Sequence, residues 1–225
     1  MIPTTVPKLM LAEQQAKALF DAVEKLGLIA AGKFESELTN EIALMAHSRF
    51  GVEKHWHKKI VRSGPNTLHP YNGDPADRLI KKDDILFLDL GPVFDGFEAD
   101  LGRTYVLSDD PLKLKLKSDV ETAWQQANTW ISNQTRLTGA DCFHYVTALA
   151  ETYGWEFGGE IAGHIVGRFP HEQLARGDWG LDIHPENHKD LWAPAKDGLR
   201  RSWILEMHFV DRERQIGAFH EQLIQ

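Results

Sequence analysis

At 225 residues, with 42% hydrophobic and 26% charged side chains, the chain has enough material for one sizeable core and lies far from the composition of disordered segments. A single domain over residues 1–225 is therefore expected. Acidic residues outnumber basic ones by 33 to 25, a formal charge of -8, which argues against the sequence-independent phosphate binding of basic proteins and so against nucleic acid as a partner.

Residues 8–26 carry Met10, Leu11, Leu19, Phe20, Val23 and Leu26 at helical spacing, with Gly27 just beyond as a stop. MIPTTVPKLMLAEQQ lacks a charged region followed by a long apolar one, and no later window holds eighteen consecutive apolar residues, so no membrane partner and a cytoplasmic location are expected. A second helix is predicted from an N-cap near Ser36, through Leu38, Ile42 and Met45, to Phe50 before Gly51. The basic run HWHKKIVR leads into a strand over Lys59 to Arg62 and reads as a solvated strand edge, which leaves His57 without an assigned role.

Asp84 to Phe94 and Phe97 to Leu107 read as two strands joined by Asp95-Gly96, a strong hairpin signal. A two-residue turn there sets Asp89 opposite Gly102 and Asp100 opposite Gly91, with both carboxylates on one face, their Cβ atoms roughly 7 Å apart. In ILFLDLG an aspartate interrupts an apolar strand, where an unpaired buried charge is costly. Two such carboxylates close together call for a cation, which a metal supplies. Glu98 falls on the same face by this count, but its place near the turn predicts exposure.

Residues 112–132 and 139–153 read as two more helices, the second closed by Gly154. Cys142 lies in the second of them, cannot form an internal disulfide, and is expected as a buried structural thiol. Strands are predicted over Ile161 to Val166, Trp203 to Val210 and Ile216 to Ile224, with a polar loop over Gln173 to Asp197. Two helices then strands, repeated once, imply an α+β domain of two similar halves with helices on one side of an antiparallel sheet.

The ordered set of motifs resembles the pita-bread (M24-type) metallopeptidases: methionine aminopeptidase, prolidase, aminopeptidase P and their relatives. LDLGPVFDGFEADLGRTY offers Asp89, Asp100 and Arg103-Thr104, AGHIVGRFPHE offers His164 and His171, WILEMHFV offers Glu206, GAFHEQLI offers Glu221, and SGPNTLHPYNGD offers His69. The resemblance implies the pita-bread fold, catalytic half only. It also implies a site for two divalent ions (Mn, Fe, Co or Zn) ligated by Asp89, Asp100, His164, Glu206 and Glu221. Glu206 would also move a proton, while His69 and His171 would contact the substrate. Ions in such a site would lower the pKa of a shared water and polarise a scissile carbonyl.

The expected activity is hydrolysis of an amide bond in a small peptide or amino-acid derivative, in the manner of an aminopeptidase or Xaa-Pro peptidase. Three departures qualify it. The usual Gly-His-Gly-Ile-Gly is Gly163-His164-Ile165-Val166-Gly167, the usual Pro after the fourth ligand is Met207, and the Arg usual two residues before the last Glu is Phe219. The last bears on recognition of a substrate carboxylate. The resemblance extends to dimethylsulfoniopropionate lyase and small-molecule amidohydrolases, so a different metal-assisted reaction is the second reading. A non-catalytic binding module is the third. A homodimer is left open, as is the role of the remaining histidines, among which His208 shares the face of Glu206 and His220 points away from Glu221.

Overall fold

The computed structural model describes residues 5–69, 71–195 and 197–224. Its first half contains helices α1 (Thr5–Lys25) and α2 (Glu35–Phe50), then strands β1 (Ile60–Ser63), β2 (Ile85–Leu90), β3 (Val93–Phe94), β4 (Phe97–Glu98) and β5 (Leu101–Val106). The second half contains α3 (Pro111–Ser132), α4 (Gly139–Thr152), β6 (Glu156–Phe157), β7 (Ile165–Val166), β8 (Ser202–Asp211) and β9 (Ile216–Leu223). One antiparallel sheet runs β1-β2-β5-β9-β8-β6, with β7 paired to β8, while β3 and β4 form a separate two-stranded ribbon.

The helices follow from apolar periodicity, with shifts in detail. The buried stripe of α1 is Leu9, Ala12, Ala16, Leu19, Phe20 and Val23, whereas Met10, Leu11 and Leu26 are exposed. Ser36 does not cap α2. The helix starts one residue earlier, the Glu37 carboxylate accepts the Phe34 N–H at 2.6 Å, and the Ser36 hydroxyl donates to Asp77 at 2.6 Å instead. Gly51 ends α2 in the left-handed conformation, as its position predicts. In α4, Cys142 is fully buried, and burial pushes its thiol up to about 12, so it is a packing residue.

Asp95 and Gly96 both take positive φ, 49° and 77°, the primed turn whose twist suits a hairpin. The expected long hairpin is nevertheless broken between β2 and β3 and between β4 and β5, at Gly91-Pro92 and Ala99-Asp100. Segment 54–56 is laced onto this break: Val93 N–H donates to Lys54 O at 3.0 Å, Trp56 N–H to Gly91 O at 2.9 Å, and the Trp56 indole to Ala99 O at 3.1 Å. The first part of the basic run therefore folds over the hairpin rather than forming a solvated edge. The strand expected over 161–166 shrinks to β7, because Gly163, with φ 141°, passes so close to β8 that a Cβ there would lie 2.0 Å from Ile204 O. Strand β6 was not anticipated, being too short to carry periodicity.

The halves meet at β5 and β9 through a single register pair, Gly102↔Glu221. Side chains strengthen that joint. The Thr104 hydroxyl accepts the Phe219 N–H at 2.7 Å and donates to Phe219 O at 2.9 Å, and Arg103 donates to Glu221 O at 2.8 Å. This gives Arg103-Thr104 a physical role as a clamp between strands. Leu205, Met207 and Phe209 point into the core under α3 and α4, leaving Glu206 and His208 on the opposite face of β8.

Candidate metal centre

Register places several of the predicted residues in one row across the sheet. Asp89 on β2 faces Gly102 on β5, Gly102 faces Glu221 on β9, and Glu221 faces Glu206 on β8. Directly opposed residues project to the same face, so three carboxylates line up with a glycine gap between them. A Cβ at Gly102 would sit 2.4 Å from the Phe219 ring and 2.9 Å from Glu221 Cβ, and the row closes only because residue 102 has none. Asp100 enters from the break in the hairpin and His164 from the bend before β7. His164 Nε2 lies 3.3 Å from Asp100, 3.6 Å from Glu206 and 3.6 Å from Glu221.

These five residues border one cavity of about 330 Å³. His69 is exposed at its rim, on the residue that ends the 3₁₀ turn Gly64–Leu68. His171 lies on another wall, with Nδ1 2.8 Å from Glu98 Oε2. Glu98 is not exposed. It is 1% accessible, because the loop from Gly167 to His171 folds over β4 and directs two backbone N–H groups, of Gly167 and His171, at its carboxylate. Its role in orienting His171 could not be read from strand counting, which carries no information on a loop more than sixty residues away. His208 closes the floor beside Phe87 and Phe219, and donates from Nε2 to Thr67 O at 2.8 Å.

The largest departure from expectation is His57. Its side chain is 4% exposed, and Nε2 lies 3.1 Å from Asp100 and 3.4 Å from Asp89, inside the cluster. The ring occupies space left by Gly91 just past the end of β2, where any side chain would collide with the His57 and Trp56 rings, a packing that only the folded loop reveals.

Electrostatics mark the cluster as short of positive charge. Burial pushes Asp89 up to about 7 against the pull of His57, with Asp100 adding to the rise. Burial likewise pushes Glu206 up to about 8, opposed by His164, and Glu221 well above the carboxylate range, helped by Asp100 and Asp89. Burial acts on Asp100 in the same direction, but His57 and His164 outweigh it and hold that carboxyl low. Asp89 Oδ1 and Glu221 Oε2 are buried without a hydrogen-bond donor among the described residues. Orphaned carboxylate oxygens facing imidazole nitrogens across a few ångströms fit a divalent cation, and the oxygen and nitrogen donor set suits Mn²⁺, Fe²⁺, Co²⁺ or Zn²⁺.

An antiparallel sheet in two helix-backed halves, with four carboxylates and an imidazole gathered on its open face, defines a metal-centre protein of the pita-bread class. The chain belongs to metallopeptidase family M24, which matches residues 8–196. It is 26% identical over 157 residues to an Xaa-Pro dipeptidase of Pyrococcus horikoshii, covering 69% of this chain and 43% of that protein. Among solved structures, a prolidase from Thermococcus sibiricus superposes with a TM-score of 0.71 at 25% identity, over 96% of this chain and 56% of its own. A methionine aminopeptidase from Thermotoga maritima shares the fold, with a TM-score of 0.71 at 18% identity, over 99% of this chain and 93% of its own. The chain thus spans about half the length of the dipeptidase and prolidase relatives.

Proposed function

We propose that this chain hydrolyses an amide bond near the free amino end of a small peptide, at a pair of divalent ions held by Asp89, Asp100, His164, Glu206 and Glu221. The observation that carries the reading is the convergence of these five side chains, with buried and unpartnered carboxylate oxygens, on the floor of one cavity. Bound there, divalent ions would act as Lewis acids on the scissile carbonyl and lower the pKa of a water toward neutrality.

The chain's own residues supply the rest. Glu206, once bound ions hold it as the carboxylate, would take a proton from the attacking water and return it to the leaving amine. His171, engaged through Nδ1 by Glu98, has Nε2 left for the cavity, and in its protonated form that N–H can donate to the developing oxyanion. His69 at the rim would meet the substrate backbone on the opposite side. Trp56, Ile60, Phe87, Trp179 and Phe219 give the cavity an apolar wall for a substrate side chain.

Among the described residues that line the cavity there is no lysine or arginine, while Glu160 and Asp182 stand with the carboxylate cluster. Such walls favour a substrate's ammonium group over its carboxylate, so we infer aminopeptidase-like rather than dipeptidase-like selection. A panel of Met-Xaa and Xaa-Pro peptides, each free and N-acetylated, tests this with added Mn²⁺ or Co²⁺. The expected outcome is cleavage that acetylation abolishes and extension at the carboxyl end tolerates. Bound metal with no peptide cleaved would transfer the site to the lyase or amidohydrolase reading, and absence of metal binding would end the hydrolase reading. We further propose a single-domain, cytoplasmic protein whose divalent ions are drawn from Mn²⁺, Fe²⁺, Co²⁺ and Zn²⁺, the metals that its oxygen and nitrogen donors suit.

A further inference from the structure

We propose that His57 is a direct ligand of the second metal ion, so that the centre is built from four carboxylates and two imidazoles instead of one. The inference rests on the metal-centre reading above, and four observations carry it. First, His57 Nε2 reaches Asp100 Oδ1 at 3.1 Å and Asp89 Oδ1 at 3.4 Å, while His164 Nε2 approaches the other oxygen, Asp100 Oδ2, at 3.3 Å. Asp100 therefore stands between two imidazoles with one oxygen toward each, and the two histidines flank it as the ends of a bridged pair would.

Second, the two rings are oriented by the same device. His57 Nδ1 is held 2.7 Å from Lys58 O and His164 Nδ1 is held 2.9 Å from Ile165 O. A backbone carbonyl that accepts from Nδ1–H fixes the tautomer and leaves the Nε2 lone pair facing the cluster, the arrangement that metal-bound histidines adopt. Third, the ring has a cleared place. A Cβ at Gly91 would lie 2.1 Å from His57 Cδ2, so a glycine is required where the ring crosses the strand end. Fourth, the segment that delivers His57 is fixed by the Trp56 hydrogen bonds to Gly91 O and Ala99 O, and the Trp56 ring makes edge contacts with both His57 and His164, at centroid distances of 4.5 Å and 5.1 Å.

Without His57, the ion beside Asp89 would have carboxylate oxygens alone, a donor set suited to Mn²⁺ or Mg²⁺. A second imidazole moves preference toward Fe²⁺, Co²⁺ or Zn²⁺. The rival account makes His57 a counter-ion that fills the cluster only when metal is absent and swings clear when metal binds.

Titration of metal-stripped protein with Co²⁺, followed by calorimetry and by visible and near-ultraviolet absorption, separates the two. The wild type is expected to bind two ions. His57→Ala should lose one of them or weaken it by at least about tenfold, the lower end of what loss of even an outer partner costs. His57→Gln, which keeps the reach of the side chain but replaces the imidazole by a weak amide donor, should show the same loss and keeps the test decisive if His57→Ala fails to fold. Unchanged stoichiometry and affinity in a folded His57→Ala or His57→Gln protein would overturn the proposal. A wild type that takes up no cobalt would instead remove the metal-centre reading and this inference with it.

Discussion

Gly102 shows how much of the site depends on one absent side chain. It separates Asp89 from Glu221 in the row across the sheet, and a methyl group there would meet the Phe219 ring and Glu221 Cβ inside contact distance. Gly102→Ala should cost about 1–3 kcal/mol by overpacking and should weaken metal uptake by displacing Glu221, measurable by denaturant unfolding and calorimetric titration. Unchanged metal affinity would show that Glu221 is not held by this packing. Glu98 acts from further out, as a positioning residue for His171. Glu98→Gln should lower kcat on the order of tenfold to a hundredfold with metal content and KM little changed, whereas a purely structural role would shift stability without that kinetic split. Individual residues were unevenly legible in the sequence. Asp89 followed from hairpin counting alone, because period two and a two-residue turn set it opposite Gly102, whereas the Asp100–Gly91 pair expected from the same count falls at the break in the hairpin. Glu98 and His57 depend on loops folding over the hairpin, and loops have no period to count.

At the scale of elements, the long periodic helices were read nearly to their ends, while the hairpin strands and the strand over 161–166 were read too long. The hairpin breaks where segment 54–56 competes for its backbone groups, and residues 161–164 leave the strand path where Gly163 presses against β8. Strand alternation served better on β8 and β9, where one face of each lines the cavity and the other enters the core. His220 shows the cost of a polar residue on the core face. It is 5% exposed, its ring lies 5.3 Å from Trp124, and neither nitrogen has a hydrogen-bond partner among the described residues. Burial holds its pKa down to about 2, with the cations Arg103, Lys17 and Lys117 adding to the effect. The folded state keeps the ring neutral while the unfolded chain protonates it below its ordinary value near 6.5, so this group's contribution is intact above that pH and is lost as pH falls toward the folded value. Wild-type stability should drop by about 2 kcal/mol from this group between pH 6.5 and 5, and His220→Leu should remove that part of the slope. Parallel unfolding curves for the two proteins across this range would refute the assignment.

For the whole molecule, the consequential fact is that the candidate centre draws Asp89 and Asp100 from one half and His164, Glu206 and Glu221 from the other, across a joint with one backbone register pair. An ion shared between the halves would add a cross-link at the place where the sheet has least backbone pairing, and metal binding should therefore be coupled to global stability. Protonation gives this coupling a sign. In the metal-free protein, Asp89 at about 7 and Glu206 at about 8 lie above their unfolded values, so the fold binds the extra protons and loses stability as pH rises through that window. Burial alone would lower His57, but Asp100 and Asp89 outweigh it and push it up to about 9; its contribution is present below about 6.5 and is also lost as pH rises. A divalent cation substitutes for the departing protons and meets less competition for its ligands as pH increases. The Tm of metal-free protein should accordingly fall between pH 6 and 8, and saturating Mn²⁺ or Co²⁺ should raise Tm more at pH 8 than at pH 6. At a free metal concentration one hundred times Kd the stabilisation should be about 2.7 kcal/mol. Thermal melts at both pH values, with and without metal, measure these quantities together. A metal-induced rise that is equal at the two pH values, or larger at the lower one, would mean that the ion does not replace protons on this carboxylate cluster and binds elsewhere.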